Sequence, residues 1–291
     1  MNSAAPRDPG LPGVTAAAAP LSSGAARGRW FSANPSKAWG EKFFLAYSVW
    51  WMLCMGILMQ TGAGARWGDA ALNLAMLAIL APIVIVPALI HDESNLGRPW
   101  WRTYWFKLNL WIGIYAGIGS YFGSEYFFDV LGMVYNYPRL GWRFDSVLLG
   151  SGTQTVPLIM YPSAHFYFIT YHTISVIVLR RARTSRLLRH PWLWPVIVLA
   201  AAYAFAWMET FFMTGGAIAE QFTYRDLPRM LRWGSLFYAC YFVISFPLVY
   251  RLDETPGEDW PLRRVCMEAL AAGMLLLFLL DNATRLVGRL Y

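Results

Sequence analysis

The sequence predicts an all-α fold, a polytopic bundle of about seven transmembrane helices with a cytosolic N-terminus. Composition is the first reason: of 291 residues, 57% are hydrophobic and only 14% are charged, whereas an average soluble domain carries roughly 25% charged residues. The second is a series of apolar runs long enough to cross a bilayer. The third is an uneven distribution of basic residues between those runs. A soluble core of this length could not bury so much apolar surface, so we expect lipid to cover it.

The chain begins with a predicted disordered tail, residues 1–33, which is rich in Ala, Gly, Pro and Ser. It contains no continuous apolar core of the kind found in secretory signals. A weak targeting role stays open, because several arginines with few acidic residues are also typical of transit peptides. Residues 34–291 are then expected to form one membrane domain.

Seven apolar runs of about 20 residues or more follow, each sufficient to cross roughly 30 Å of hydrocarbon at 1.5 Å per residue. They lie at residues 41–60, 70–91, 104–123, 157–179, 192–214, 231–250 and 264–287. An eighth run, residues 125–134, is too short to span, so it either extends the third helix or lies at the interface. Backbone groups must be satisfied internally in lipid, which favours helices over open strands.

Basic residues predict the orientation of the bundle. Of the 24 lysines and arginines, 16 fall on the side of the tail and the even-numbered loops, and 8 fall on the other side. Loops rich in Lys and Arg face the cytosol, and the run RRARTSRLLRH at 180–190 is the strongest single marker. The net charge of +7 therefore indicates anionic lipid as a partner, and no nucleic acid. The Ala- and Arg-rich composition favours a bacterial inner membrane over the endoplasmic reticulum, and the oligomeric state stays open.

Two histidines stand out in the fourth predicted helix. His165 and His172 are seven residues apart, which returns the helix to within about 20° of the same face. A neutral imidazole can accept or relay a proton near neutral pH. The alternative is two packing histidines that hydrogen-bond to neighbouring helices.

Glu209 is an isolated carboxyl in the fifth predicted helix, within AYAFAWMETFFM. Polar groups at membrane depth are costly and usually functional, and a carboxyl kept protonated by burial suits a general acid. The alternative is a structural hydrogen bond. Glu41 is the reserve acid; its alternative is an ion pair with Lys37, four residues earlier. Asp281 is predicted to pair structurally with Arg285.

Aromatic residues are abundant, and a subset is expected to line a cavity for a large, flat, apolar substrate. Their ring faces can stabilise a carbocation; the alternative is interfacial belts and helix packing. No phosphate-binding loop, HExxH pair or cysteine pair occurs, so neither a metal nor a cofactor is expected. The candidate substrate-binding residues are Tyr104, Trp111, Tyr126, Phe127, Phe168, Tyr171, Tyr238 and Tyr241.

Several blocks, in order and in register, carry a more specific signal over residues 34 to about 286. They are NPSKAWGEKFFL (34–45), YWFKLNLWI (104–112), YFFDVLGMVYNYP (126–138), His165 to His172 with their spacing, Glu209-Thr210 and LFYACYFVISFPLVYRLDE (236–254). This pattern resembles the cycloeucalenol cycloisomerase family of sterol-biosynthesis enzymes. Two departures are Glu125, where the family pattern has a histidine, and the segment 214–230, where it is richer in aromatics.

The resemblance implies that the 9β,19-cyclopropane ring of a cycloartane-type sterol is opened to a Δ8 double bond without redox change or cofactor. Such a reaction needs a proton donor at C19, a base for the C8 proton, aromatic faces and exclusion of water. We expect Glu209 to be the acid, His172 and His165 the base and relay, and Glu41 the reserve. The alternatives are a sterol double-bond isomerase and a non-catalytic sterol- or lipid-binding membrane protein.

Overall fold

The computed structural model describes residues 28–90, 92–185, 190–216 and 219–291, which form eleven α-helices and two short strands. The helices are α1 (Pro35–Gln60), α2 (Ala63–Arg66), α3 (Asp69–Leu80), α4 (Pro82–Leu89), α5 (Tyr104–Ile118), α6 (Ser124–Asp129), α7 (Met160–Thr184), α8 (Leu193–Met213), α9 (Leu227–Arg229), α10 (Ser235–Arg251) and α11 (Leu262–Val287). The strands are β1 (Met133–Tyr135) and β2 (Phe222–Tyr224).

Five helical segments within these ranges are long and apolar enough to cross a membrane. They are Pro35–Gln60, Asp69–Leu89, Leu193–Met213, Leu227–Arg251 and Leu262–Val287. The prediction of a mostly helical protein with several membrane-spanning segments is thereby confirmed. Two further helical stretches lie beside these five: α7 is more polar than they are, and α5, with 15 residues, is shorter.

The predicted helices recur with shifted ends, and the shifts have local causes. The first helix starts at residue 35 rather than 41, because Pro35 occupies the first turn, where its missing N–H costs nothing. The second is divided between α3 and α4 at Pro82, which cannot donate to the helical ladder. The first half of the short run at 125–134 extends the third helix, since α5 continues through a wide π-helical turn, Gly119–Gly123, into α6, which ends at Asp129; the run then ends within β1.

The centre of the bundle is α7, which packs against α1, α3, α5, α8 and α10. This position explains its polar composition. His172, Thr173 and Ser175 are fully buried against neighbouring helices and do not face lipid, where a polar group would be costly.

A two-stranded antiparallel sheet covers one end of the bundle, with Met133 opposite Tyr224 and Tyr135 opposite Phe222. We call this the sheet end; α1, α6 and α8 finish there, and α3 and α7 begin there. The chain terminus also docks at this end, where the backbone N–H of Leu290 donates to the carbonyl of Val130 over 2.7 Å. The sheet is a small addition to the predicted all-α fold.

The opposite end is tied together by buried charges. Arg180 of α7 contacts Glu41 of α1 (2.5 Å) and Glu254 (2.6 Å), and Glu254 also pairs with Lys37 (3.0 Å). Glu41 thus pairs with Arg180 and not, as the alternative to a catalytic role had it, with Lys37. A second cluster places Lys107 of α5 between two carboxylates of the segment after α10, Asp253 and Asp259. We call both clusters together the charged network.

The end of the predicted tail contacts this network. The Arg180 guanidinium donates to the carbonyl of Trp30 (2.8 Å), and the backbone N–H of Ser32 donates to Glu41 (3.2 Å). The rest of the predicted tail, residues 1–27, lies outside the described residues, as do residues 186–189 of the basic loop. At the far end of α11, Asp281 and Arg285 form the predicted pair at 3.0 Å.

Candidate active site

A cavity opens in the half of the bundle nearer the sheet, between α1, α3, α5, α7, α8 and α10. The space between its walls amounts to about 1160 Å³, a figure that includes open solvent at the mouth of the cavity. Its wall is mostly aromatic. The aromatic lining residues are Trp51, Phe127, Tyr135, Tyr137, Phe166, Tyr167, Phe168, Tyr171, Phe222, Tyr224, Tyr238 and Tyr241.

Methionines supply much of the remaining surface. They are flexible and polarizable, so they adapt to an irregular apolar ligand and pack well against aromatic rings. The lining methionines are Met55, Met59, Met76, Met133, Met160 and Met213. A cavity of rings and thioethers suits a rigid polycyclic hydrocarbon.

Glu209 provides the one carboxyl group among the lining residues in the described part of the chain. It lies in the last turn of α8, a helix that packs on α10 through Ala202, Ala206 and Thr210, its small buried residues. Glu209 follows directly beside this face and is half-buried. The Tyr238 hydroxyl donates to its Oε2 at 2.5 Å, and Tyr171 also hydrogen-bonds to it. Two helices therefore hold the carboxyl at the cavity wall.

Tyr241 packs against the wide turn between α5 and α6. Its hydroxyl donates to the carbonyl of Gly119 at 3.1 Å, and its ring occupies the space that a Cβ at Gly119 or Gly123 would need. Such π-helical turns recur at functional sites because they displace the backbone locally. Here the turn admits an aromatic ring that forms part of the cavity wall.

His172 does not line the cavity, although Phe168 and Tyr171 beside it do. It is 0% exposed. Its Nδ1 lies 2.7 Å from the carbonyl of Phe168, and its Nε2 lies 2.8 Å from the Ser245 hydroxyl. Since a carbonyl only accepts, Nδ1 carries the proton and Nε2 accepts from Ser245. Both ring nitrogens are thus engaged within the protein.

His165 faces α5, as His172 does, but also stands outside the cavity lining. Its Nε2 lies 2.9 Å from the side-chain oxygen of Asn109. The Asn109 amide nitrogen donates to the carbonyl of Trp105, so its oxygen accepts from His165. A role for either histidine in proton transfer stays a prediction, and it requires a path from the cavity to these rings.

Glu41 lies in the charged network at the opposite end of the bundle, where it is 0% exposed. Tyr104 is there too, with the Lys37 ammonium 5.2 Å from its ring centre. Trp111 packs on His172, and Tyr126 is half-buried away from the cavity lining. The other five predicted binding aromatics line the cavity: Phe127, Phe168, Tyr171, Tyr238 and Tyr241.

Sequence reasoning missed several lining residues. Tyr167 had a usable signal, because it lies four residues before Tyr171 and so shares its helical face. No sequence signal placed Tyr135 and Tyr224 at the cavity. Their position depends on the pairing of β1 with β2, and these two strands are remote from each other in the sequence. Their place at the cavity is a consequence of the tertiary fold.

No family model matches the chain, and no solved structure matches it either. One curated protein does: the cycloeucalenol cycloisomerase of Arabidopsis thaliana is 36% identical over 259 residues, which cover 87% of each chain. The aligned length includes most of the helices that build the cavity. The chain therefore belongs to the cycloeucalenol cycloisomerase family.

Proposed function

We propose that this protein opens the 9β,19-cyclopropane ring of a cycloartane-type sterol, converting cycloeucalenol to obtusifoliol. It is an isomerase by family, and the family acts in sterol biosynthesis. The aromatic cavity and its lone carboxyl support this reaction. The observation that carries the mechanism is the position of Glu209, a carboxyl held by Tyr238 at the wall of an apolar cavity.

The reaction moves two protons. Glu209 donates a proton to C19 as the C9–C19 bond breaks, which leaves an angular methyl group and positive charge at C9. The C8–H bond then breaks and its electrons form the C8–C9 double bond. Aromatic faces such as those of Phe168 and Tyr241 stabilise the cation in between, and an apolar wall keeps water from capturing it.

The C8 proton needs an acceptor. The carboxylate that Glu209 leaves after the first step borders the cavity, whereas His172 and His165 do not. We therefore favour the Glu209 carboxylate as the acceptor, which would regenerate the acid in each turnover. His172 with His165 is the second candidate, acting through intervening hydrogen-bonded groups.

The membrane arrangement is part of the proposal. We propose seven spans, counting α5 with α6 and α7 beside the five apolar segments, because the chain alternates between the sheet end and the charged network. The 16 basic residues on the network side against 8 on the other favour a cytosolic N-terminus. The Ala- and Arg-rich composition is the support for a bacterial inner membrane. Cysteines introduced singly at Thr255 and Arg139, tested with a membrane-impermeant thiol reagent, give the sidedness.

The experiment that tests the reaction uses a yeast lacking cycloartane chemistry. Cells expressing the protein are fed cycloeucalenol, and their sterols are analysed by gas chromatography and mass spectrometry. A product of unchanged mass whose retention and fragmentation match obtusifoliol supports the proposal. Double-bond migration in an added Δ8 sterol, with cycloeucalenol untouched, indicates a double-bond isomerase. Bound but unchanged cycloeucalenol indicates a carrier.

A further inference from the structure

The tyrosines of the cavity differ in whether the protein satisfies their hydroxyl groups. Tyr238 and Tyr171 bond to Glu209, Tyr241 bonds to the carbonyl of Gly119, and Tyr224 bonds to Thr210. In contrast, Tyr135, Tyr137 and Tyr167 have no hydrogen-bond partner for their hydroxyls among the described residues. All three residues line the cavity and are only half-buried.

Tyr167 lies on α7, whereas Tyr135 and Tyr137 lie together at the sheet. Tyr135 ends β1, where it lies opposite Phe222, and Tyr137 follows two residues later with its ring 6.3 Å from that of Tyr135. Backbone bonds fix the segment: Asn136 donates to the carbonyl of Gln221 at 2.8 Å. The two hydroxyl-bearing rings are therefore held at the sheet end of the cavity by the strand pairing itself.

The cavity changes character with distance from the sheet end. Glu209 lies four residues before the end of α8, or about 6 Å at 1.5 Å per residue. Phe168 lies eight residues from the start of α7, about 12 Å in, and Trp51 nine residues from the end of α1, about 14 Å in. Tyr135 and Tyr137 thus lie at the sheet end, Glu209 next, and Phe168 and Trp51 deeper, with Tyr167 and Tyr171 of α7 also at the deeper level.

A sterol has the same order of groups along its length. Its single hydroxyl is on C3 of ring A; C19, C9 and C8 lie one ring further on; the hydrocarbon side chain is at the far end. A polar group buried without a partner is unfavourable, and a hydroxyl can both donate and accept. The sterol hydroxyl and the two tyrosines can satisfy one another while the cyclopropane lies at the depth of Glu209.

We propose that Tyr135 and Tyr137 form the binding site for the 3-hydroxyl group of the sterol, and that the substrate lies with ring A beneath the sheet and its side chain directed toward Trp51. This rests on the proposed function for the identity of the ligand. The sheet then contributes to substrate recognition, because the strand pairing sets the distance between the hydroxyl-binding site and Glu209. Substrate specificity at ring A then depends on β1 and β2.

The test compares cycloeucalenol with its 3-deoxy analogue on the wild-type protein, on Tyr135→Phe, on Tyr137→Phe and on the double variant. We expect the wild type to prefer the 3-hydroxy compound in kcat/KM, because a site built to bind a hydroxyl rejects an analogue lacking it. The double variant should lose about tenfold or more in kcat/KM on cycloeucalenol, mainly through KM, and nothing on the 3-deoxy analogue. Tyr203→Phe, on α8 and outside the cavity lining, is the matched control.

Two outcomes overturn the proposal. One is an equal loss on both substrates, which means that the hydroxyls support the wall and not the ligand. The other is an unchanged preference for the 3-hydroxy compound. Activity on the 3-deoxy analogue reports folding of each variant, and the single variants serve if the double variant fails to fold.

A failure of the proposed reaction can be distinguished from a failure of the proposed hydroxyl-binding site. If the wild-type protein does not convert cycloeucalenol, the proposed function fails, and the hydroxyl site is tested by binding alone. Radiolabelled cycloeucalenol is then displaced by unlabelled cycloeucalenol or by the 3-deoxy analogue. A preference for the hydroxylated competitor that disappears in the double variant supports the site, and equal competition in both proteins overturns it.

Discussion

The Tyr238 hydroxyl donates a hydrogen bond of 2.5 Å to Oε2 of Glu209, and this bond joins α10 to the last turn of α8 at the cavity wall. Tyr171 of α7 adds a second bond to the same carboxyl. Three helices thereby determine the orientation of one acid. An acid whose orientation is fixed before the substrate arrives loses no time or free energy in reorganisation during proton transfer.

Replacing Glu209 by glutamine should abolish the proton donor and preserve the shape. The amide can still accept from Tyr238, so we expect a folded protein whose turnover of cycloeucalenol is lower by about 10²–10⁴-fold. Turnover is measured in isolated membranes by mass spectrometry, and folding by thermal unfolding in detergent. Glu268→Gln, at a partly exposed pair with Arg264, is the control. Wild-type turnover in Glu209→Gln would rule out Glu209 as the acid.

Tyr238→Phe should act on the position of Glu209 and not on binding. The ring remains in the wall, whereas the bond to the carboxyl is lost. We expect kcat to fall about tenfold, in line with the loss of one hydrogen bond of about 1 kcal/mol or slightly more, with KM nearly unchanged. Tyr203→Phe, on α8 but outside the cavity lining, provides the comparison. A rise in KM with kcat intact would mean that Tyr238 contacts the substrate instead.

Gly123→Ala tests whether the position of the Tyr241 ring matters for activity. A Cβ at Gly123 would overlap the Tyr241 hydroxyl, whereas one at Gly117, on the same helical stretch, meets nothing within 4 Å. We expect Gly123→Ala to displace the ring and lower kcat/KM by tenfold or more. Gly117→Ala should be neutral or stabilising by about 0.5–1 kcal/mol, since alanine is the better helix former. Equal activity of the two variants would show that the position of Tyr241 is unimportant.

The helical framework was predictable because long apolar runs and basic loops are local properties of a sequence. Glu209 stood out for the same reason, as a carboxyl in an apolar run, and the structure places it at the cavity. The partners of each polar group were not predictable. That Glu41 meets Arg180, 139 residues away, and that His172 meets Ser245, 73 residues away, depends on which helices pack together. The sheet was missed because three-residue strands have no detectable period.

His172→Phe separates a structural from a catalytic histidine. The substitution removes the partner of Ser245 Oγ and should reduce the free energy of unfolding by about 1–3 kcal/mol. If Glu209 recycles the proton, turnover per folded molecule should stay within a few-fold of wild type. Ser245→Ala, which removes the same bond and keeps the imidazole, controls for lost stability. A loss in His172→Phe as large as in Glu209→Gln, absent in Ser245→Ala, would assign the base to His172.

The charged network should make stability depend on acidity. Burial by itself would raise the pKa of Glu254, but hydrogen bonds from Arg180 and the nearby charges of Lys37 and Arg180 outweigh it and hold the pKa below its ordinary value. A carboxyl with a depressed pKa in the folded state stabilises the protein above its unfolded pKa of about 4.3. That contribution is lost as the pH falls through the lower, folded value, since the unfolded chain takes up the proton first.

We therefore expect the melting temperature of the wild-type protein in detergent to fall steeply below about pH 4.5. Glu254→Gln should melt lower at pH 7, because Arg180 and Lys37 lose a partner, and its melting temperature should change less between pH 5 and pH 3. Asp253, whose pKa burial raises despite its bond to Lys107, contributes with the opposite sign and remains in both proteins, so the difference between the two curves isolates Glu254. Glu220→Gln, at an exposed glutamate of the sheet end, should follow the wild-type curve. Coincident curves for Glu254→Gln and wild type would mean that the ion pair with Arg180 adds no stability.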